Sequence, residues 1–384
     1  MIDERARIRC QGRSLQLKVA LASNATTLSA PPRRYDLTLQ EAEITSMPER
    51  RSKPMNASKA GVMLQQRIVP FPKSISPEAR AALERLVRND GMPLNALYQM
   101  PAPEAYDAWM SIKITADVQY AAAVKRLADT LRSSVETVEV DGATIHIATP
   151  DTPFRSDCAY IDLHGGALVF GGGDACRVGA QMQADQHGVR CYGVDYRMPP
   201  EHPYPAALDD CLTAYRHVLD RHSPGNIVMG GRSAGGNLAV AMALRARDEG
   251  LPLPAGLVLL SPQVDLTESG DSFEINRMVD AVLPGSLMKS NLLYASGADL
   301  EHPYLSPLFG NLDGLPATFL QTGTRDLFLS NTVRMHRQLR RAKVPTELHV
   351  FEAMPHGGFM GGTPEDRELA EEVSRFVRDR WAER

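Results

Sequence analysis

The spacing of hydrophobic and polar positions changes at Ser134. Before it, apolar residues three and four positions apart over residues 77–87 predict an amphipathic helix, and residues 100–134 are also interpreted as helical. Ser76 and Pro77 provide the cap and the first position expected where the first helix begins. After Ser134, "SVETVEV" and "ATIHIAT" alternate on either side of Asp-Gly, which predicts a β-hairpin.

Short apolar runs then alternate with helical segments along the rest of the chain. The runs are "CAYIDL", "VRCYGVD", "NIVMGG", "GLVLLS", "ATFLQT" and "TELHVFE". Such runs, joined by helices, are typical of buried parallel strands with crossover connections. We therefore expect an α/β fold with a mostly parallel central sheet flanked by helices. Residues 265–307 interrupt the alternation and are expected to contribute to a cap.

The composition narrows the classes of partner and cofactor. The chain has 384 residues and a net charge of -4, which argues against a nucleic-acid or membrane-surface partner. Its apolar runs are shorter than the roughly 18 residues of a membrane-spanning helix. Five cysteines without a C-x-x-C pair argue against a disulfide framework or a zinc site. We therefore predict a cytoplasmic protein with no membrane partner and no metal.

A candidate nucleophile lies in Gly231-Arg232-Ser233-Ala234-Gly235. The G-x-S-x-G pattern alone is weak, but a strand-like "NIVMG" precedes it and an alanine-rich helix follows. This strand–turn–helix setting presents a serine hydroxyl on a sharp turn, whereas the alternative interpretation is an ordinary glycine-rich turn. The backbone N–H of Ala234, at the start of the helix, is available to an oxyanion.

A nucleophilic serine needs a base and a carboxylate that orients the base. Asp326 follows the strand-like "ATFLQT", and His356 follows "TELHVF". Because parallel strands end at the same edge of a sheet, both loops are expected near Ser233. Glu352 is an alternative acid because it is close to His356 in sequence, but it ranks second because it lies within or at the end of a strand.

The segment "HGGALVFGGGD" (residues 164–174) has five glycines in eleven residues. Its glycines do not have the G-x-G-x-x-G spacing of a dinucleotide site, and the chain has no G-x-x-x-x-G-K-[ST] loop. We therefore predict no nucleotide cofactor. The segment is instead interpreted as a loop whose backbone N–H groups bind a substrate oxyanion, with His164 bracing the loop.

These stretches resemble the hormone-sensitive-lipase-like (bacterial family IV) carboxylesterases of the α/β-hydrolase fold. "HGGALVFGG" is similar to the family's His-Gly-Gly-Gly motif, "GRSAGGNLA" to its nucleophile elbow, and "DYRMPPEHPYPAALDD" to a further family segment. Three departures stand out. Ala167 replaces a glycine, Arg232 replaces an Asp or Thr, and "LFLSN" follows Asp326 where a second acidic residue is common.

The resemblance implies site residues and a domain layout. It implies a catalytic triad of Ser233, Asp326 and His356, and no cofactor. The implied oxyanion hole is bracketed by Gly165, Gly166, Ala167 and Ala234. Residues 55–131 would supply cap helices, joined by part of 265–307, and residues 132–384 the catalytic domain. Residues 1–54 are polar and Arg-rich, and we interpret them as an N-terminal extension, either disordered or upstream of the true start.

The expected activity is that of a serine carboxylesterase acting on a small ester with a short acyl chain or a compact shape. Lactone or amide hydrolysis by the same triad is an alternative, and a homodimer is left open. A non-catalytic binding protein on this fold ranks lower because the histidine is present. Met100, Trp109 and Phe170 are candidates to line the pocket, although simple packing is the default interpretation of such residues.

Overall fold

The computed structural model describes residues 67–382, Val62, and the backbone of two short strands, β1 (Arg7–Cys10) and β2 (Arg13–Gln16). The chain divides into two compact units, Met1–Gln65 and Gln66–Arg384. In the first unit β1 pairs with β2 in antiparallel orientation. The prediction for residues 1–54 otherwise falls outside the described residues.

An eight-stranded sheet forms the centre of the second unit. Its strands are β3 (Ser134–Val140), β4 (Ala143–Thr149), β5 (Ala159–Leu163), β6 (Arg190–Asp195), β7 (Ile227–Arg232), β8 (Gly256–Leu260), β9 (Ala317–Gly323) and β10 (Thr346–Phe351). They are arranged in the order β10-β9-β8-β7-β5-β6-β4-β3. The β3–β4 and β4–β6 pairs are antiparallel and the others parallel, which confirms the predicted sheet and its edge hairpin.

Helices flank this sheet and connect its strands. They are α1 (Pro77–Arg85), α2 (Tyr106–Ala128), α3 (Asp174–His187), α4 (Ala206–Leu219), α5 (Ala234–Asp248), α6 (Ser272–Ile275), α7 (Met288–Ala295), α8 (Leu329–Arg341) and α9 (Pro364–Ala382). Helix α1 begins as predicted, with the side chain of Ser76 accepting a hydrogen bond from the N–H of Ala79. Among the described residues, no helix is long and apolar enough to span a membrane.

Two hydrophobic layers cover the sheet. Residues of α4, α5 and α8 pack on one face, and residues of α3 and α9 pack on the other. Every residue of β5 is buried, as expected for a parallel strand covered on both sides. This burial explains why the strand sequences are continuous apolar runs rather than alternating ones.

The helices that precede the sheet pack against loops at the carboxyl ends of its strands. On α1, Ala82 and Leu83 belong to a buried cluster with Met354, in the loop after β10. On α2, Trp109 belongs to a cluster with Phe170, in the loop after β5. Both helices therefore border the edge of the sheet where the candidate site residues were predicted.

The last residue of β9, Gly323, lies against the loop that follows β10. A Cβ atom at Gly323 would be 1.9 Å from the carbonyl oxygen of Met354. The two loops are also joined by a hydrogen bond from the N–H of Thr324 to the carbonyl oxygen of Phe351, with a distance of 2.9 Å. Glycine therefore allows the loop that contains Asp326 to approach the loop that contains His356.

We predict that Gly323→Ala lowers the free energy of unfolding by about 3 kcal/mol, because the methyl group forces two backbone segments apart. The matched control is Gly285→Ala, since a Cβ atom there would have no heavy atom within 4 Å. For the control we expect an unchanged stability or a gain of up to about 1 kcal/mol. Urea unfolding followed by circular dichroism measures both variants. Equal stability of the two would contradict the proposed close approach.

Candidate active site

Ser233 occupies a strained turn between β7 and α5. Its backbone has φ 57° and ψ -118°, a conformation that L-residues rarely adopt. The N–H of Ser233 donates to the carbonyl oxygen of Leu260 at 2.9 Å, and its own carbonyl oxygen accepts from the N–H of Gln263 at 3.1 Å. The end of β8 therefore holds the turn from both sides. Strain held in this way is typical of a nucleophile elbow.

Two glycines allow this turn to fit between the strand and the helix. A Cβ atom at Gly231 would lie 2.3 Å from the carbonyl carbon of Gly235. A Cβ atom at Gly235 would lie 1.8 Å from the carbonyl oxygen of Leu163, at the end of β5. Any side chain at these positions would push the first turn of α5 away from the sheet, and with it Ser233.

His356 and Asp326 are paired at the carboxyl ends of β10 and β9. His356 Nδ1 lies 3.1 Å from Asp326 Oδ1. The carboxylate also accepts from Thr322 Oγ1 at 2.9 Å and from the N–H of Phe328 at 2.8 Å. Burial tends to raise the pKa of Asp326, but the neighbouring imidazole outweighs it and holds that pKa below its ordinary value. The alternative acid, Glu352, is exposed.

The loops that carry the candidate residues converge at one edge of the sheet. The guanidinium Nη1 of Arg232 donates to the carbonyl oxygen of Gly357 at 2.6 Å, which joins the residue before Ser233 to the residue after His356. Ser233 and His356 are each 7% exposed. Both side chains are therefore largely shielded from solvent at the ends of the parallel strands.

The glycine-rich loop lies directly beside Ser233. A Cβ atom at Gly165 would be 3.5 Å from the Cβ of Ser233. Gly166 has φ 129°, and a Cβ there would be 2.0 Å from the carbonyl oxygen of Phe170, so only glycine fits. Ala167 follows with φ 54°. The positive φ angles of Gly166 and Ala167 thus form a tight turn in the loop that passes Ser233.

The N–H groups at this position are available to a ligand. Within the described part of the chain, the N–H groups of Gly166 and Ala167 take part in no hydrogen bond. Ala234 is the first residue of α5, so its N–H has no acceptor within the helix. The helix dipole adds a partial positive charge at the same point.

Residues of the "DYR" segment brace the glycine-rich loop. The His164 ring stacks on the Tyr196 ring with centroids 4.0 Å apart, and Tyr196 donates its hydroxyl to the carbonyl oxygen of His164 at 2.7 Å. The carboxylate of Asp195 accepts from the N–H of Gly173 at 3.0 Å. His164 therefore has the bracing position predicted from the sequence.

Among the described residues, His164, Cys176 and Asp195 form a group with candidate metal-ligand atoms within 4.8 Å of one another. Burial raises the pKa of the Cys176 thiol well above its usual range, so the thiolate that a metal requires is disfavoured. The Asp195 carboxylate is already bonded to Gly173 and lies 3.3 Å from His146 Nε2. The donor set therefore fits bracing better than metal binding.

The three pocket candidates form a packed cluster. Trp109 is fully buried, its ring centroid lies 6.4 Å from that of Phe170, and Met100 packs against the same cluster. The indole N–H donates to the carbonyl oxygen of Ala102 at 2.9 Å. The default interpretation of these residues, simple packing, therefore describes how α2 contacts the loop after β5.

A different apolar cluster lies beside the candidate site, and the sequence reasoning did not identify it. Ala167 and Leu283 pack against Leu287 and Phe328 within this cluster. The Phe328 ring also meets the His356 imidazole edge-on, with centroids 4.8 Å apart. Its only sequence signal was the apolar "LFL" directly after Asp326.

Two charged residues near the site were also missed as functional candidates. Arg232 was noted as a departure from the family pattern, but its contact with Gly357 depends on tertiary structure. Asp280 is fully buried and receives the backbone N–H of His356. A lone acid inside the apolar stretch "MVDAVL" was the available signal for a buried carboxylate.

The fold, the strained elbow and the buried imidazole–carboxylate pair define an α/β hydrolase. A family model described as alpha/beta hydrolase fold matches residues 160–360. The chain is 31% identical to an esterase of Acinetobacter venetianus over 220 residues, which are 56% of this chain and 73% of that protein. It is 32% identical to an acetyl-hydrolase of Streptomyces hygroscopicus over 231 residues, which are 59% of this chain and 77% of that protein.

A solved structure is also similar. The crystal structure of an esterase called E25 superimposes with a TM-score of 0.77 at 34% sequence identity, covering 83% of this chain and 98% of that one. The chain therefore belongs to the α/β-hydrolase family and is a carboxylesterase of its hormone-sensitive-lipase-like branch, bacterial family IV.

We predict that Arg232→Gln lowers the free energy of unfolding by about 1.5–3 kcal/mol, the usual range for a hydrogen bond from a charged group. The variant loses the hydrogen bond to the carbonyl oxygen of Gly357. It also removes the cation beside the buried Asp162. Burial raises the pKa of Asp162 to about 7, and Arg232 opposes that rise. The control is Arg80→Gln, which removes an exposed pair with Glu84 and should cost less than about 1 kcal/mol. Urea unfolding of both variants measures the difference. Arg232→Gln with the stability of the control would rule out this anchoring role.

Proposed function

We propose that Ser233 is the nucleophile, His356 the general base and Asp326 the carboxylate that orients the base. The observation that carries this proposal is the 3.1 Å contact between His356 Nδ1 and Asp326 Oδ1. Because the ionised carboxylate can only accept, Nδ1 carries the proton and Nε2 is left as the basic nitrogen. The strained backbone of Ser233 supports its assignment as the nucleophile.

The proposed oxyanion hole consists of the N–H groups of Gly166, Ala167 and Ala234. Gly165 contributes by lacking a side chain, which lets the loop lie beside Ser233. Each such donor typically stabilises the transition state by about 2.7–4 kcal/mol. The N-terminal end of α5 adds its dipole to the same position.

The reaction then follows in two halves. Ser233 Oγ attacks the ester carbonyl carbon as His356 Nε2 takes the hydroxyl proton, and the oxyanion hole holds the tetrahedral intermediate. The carbon–oxygen bond to the alcohol breaks, and His356 gives its proton to the departing alcohol. Water then attacks the acyl-enzyme with His356 again as base, which releases the acid and restores Ser233.

We further propose esters of short acyl chain or compact shape as substrates. Support comes from the Ala167 methyl group, which packs against the apolar cluster that contains Leu287 and Phe328, next to a proposed oxyanion donor. The relative from Streptomyces hygroscopicus is named an acetyl-hydrolase, which is consistent with a small acyl group. Lactones and amides are chemically accessible to the same residues, but no contact in the site favours them over esters.

The domain layout is likewise a proposal. We assign residues 55–131 as cap helices and residues 132–384 as the catalytic domain, with part of 265–307 joining the cap. The packing of α1 beside Met354 and of Trp109 beside Phe170 supports a cover over the site. A cytoplasmic location is proposed because the four described cysteines, all buried, form no disulfide. Pairing into a homodimer rests on the family resemblance.

Replacing the nucleophile tests the proposed triad. We expect Ser233→Ala to lower kcat by about 1,000-fold or more on p-nitrophenyl esters of increasing chain length, and on lactones and anilides that the wild type hydrolyses. Ser290→Ala, which changes a buried serine on α7, is the matched control and should keep wild-type turnover. If Ser233→Ala keeps wild-type turnover, the triad assignment is wrong. If neither the wild type nor Ser233→Ala hydrolyses any of the substrates, the result would favour a non-catalytic binding protein.

Ala167→Gly tests the proposed substrate size. Glycine adopts the positive φ of this position without strain and keeps the N–H, so turnover of acetate esters should be retained. Removing the methyl group should raise the ratio of kcat/KM for hexanoate over acetate esters by about tenfold. The p-nitrophenyl ester series measures this ratio. Loss of turnover on every ester, or an unchanged ratio, would refute the role assigned to the methyl group.

A further inference from the structure

We propose that Asp280 is a positioning residue that joins the loops of the catalytic acid and base through its buried carboxylate. The inference rests on the proposed function, since it takes Asp326 and His356 as members of the triad. Asp280 belongs to residues 265–307, the segment that the sequence pattern assigned to the cap, and the segment therefore has a second role.

The Asp280 carboxylate connects three stretches of backbone. It is fully buried and accepts the N–H groups of Val282 at 2.9 Å and Leu283 at 3.1 Å within its own turn. It also accepts the N–H of Leu327 at 2.7 Å, directly after the proposed acid. The N–H of His356 lies 3.2 Å from Oδ2 and 3.3 Å from Oδ1. A single side chain thus fixes the backbone on both sides of the Asp326–His356 contact.

The same segment holds the acid loop at two further points. Asn276 Nδ2 donates to the carbonyl oxygen of Asp326 at 2.8 Å. Ser272 Oγ donates to the carbonyl oxygen of Leu327 at 2.6 Å. Both the N–H and the carbonyl oxygen of Leu327 are therefore hydrogen-bonded to this segment, directly after Asp326.

Stability alone does not account for a carboxylate at this position. Burial and, after it, the nearby Asp326 raise the pKa of Asp280 to about 6, although His356 and the backbone N–H groups of Leu327 and Leu283 oppose the rise. A raised pKa means that the ionised form is disfavoured in the folded protein, so the charge costs stability near neutral pH. The two titratable groups facing Asp280 are Asp326 on the loop after β9 and His356 on the loop after β10. Besides its backbone N–H donors, the charge is favourable toward the imidazolium that forms when His356 takes the serine proton.

Asp280→Asn separates the charge from the shape of the side chain. Asparagine keeps the shape of the side chain and one accepting oxygen, but its amide nitrogen then faces N–H groups that the second carboxylate oxygen accepts. The loss of these hydrogen bonds opposes the gain from removing a buried charge, so we expect a modest fall in the melting temperature and use the pH profile to identify the positioning role. We expect kcat to fall about 10- to 100-fold with an unchanged KM, because the base is less well placed and its charged form less stabilised. The acid limb of the kcat/KM profile should move to lower pH, since the imidazolium loses a neighbouring negative charge.

Asp265→Asn is the matched control. Asp265 is a fully buried carboxylate of the same segment, and it binds Thr267, Ser269 and Arg334 instead of the catalytic loops. We expect this variant to keep the wild-type kcat and pH profile, even if its melting temperature falls.

Two results would overturn the assignment. One is a folded Asp280→Asn variant with wild-type kcat and pH profile. The other is a loss of kcat in Asp280→Asn that accompanies a lower melting temperature and leaves the pH profile unmoved, which indicates a structural role only. If Ser233→Ala is inactive, either result refutes the role of Asp280 and leaves the triad standing. If Ser233→Ala keeps wild-type activity, the triad itself is refuted.

Discussion

The contact between His356 and Asp326 is the interaction on which the rest of the site depends. It requires a carboxylate to stay ionised while fully buried, which is costly unless donors surround it. Thr322 and the backbone of the acid loop supply donors besides the imidazole. It also requires the loops after β9 and β10 to lie close together, and Gly323 permits this because it has no side chain to meet Met354. The parallel register of the neighbouring strands β9 and β10 brings both loops to the same end of the sheet.

Other parts of the fold connect the turn at Ser233 with the loop of His356. The turn at Ser233 is strained, and backbone hydrogen bonds to the end of β8 stabilise it. Arg232 extends from the same turn to the carbonyl oxygen of Gly357, so the turn at Ser233 and the loop of His356 share an anchor. Asp280, which lies in residues 265–307, accepts the backbone N–H of His356 and so holds the same loop. The candidate site therefore depends on several segments that are far apart in the sequence and meet at one edge of the sheet.

The sequence predicted the sheet, the edge hairpin and the strand ends at which Ser233, Asp326 and His356 lie. These predictions rest on local signals, namely apolar runs, turn residues and the rule that parallel strands end at a common edge. Asp280 and Phe328 could not be assigned in this way, because their neighbours are distant in the chain and depend on how the loops pack. Apolar residues that pack and apolar residues that line a pocket look alike in a sequence, and Met100, Trp109 and Phe170 follow the default interpretation of packing.

The most direct test of the central claim is the rate at which a fluorophosphonate modifies the enzyme, with the modified residue identified by peptide mass spectrometry. The account predicts a single adduct on Ser233 in the wild-type protein. In folded Asp326→Asn, the labelling rate should fall by about 1,000-fold or more, because the asparagine no longer holds His356 in the basic tautomer. An unchanged labelling rate in that variant, or an adduct on another residue, would contradict the account.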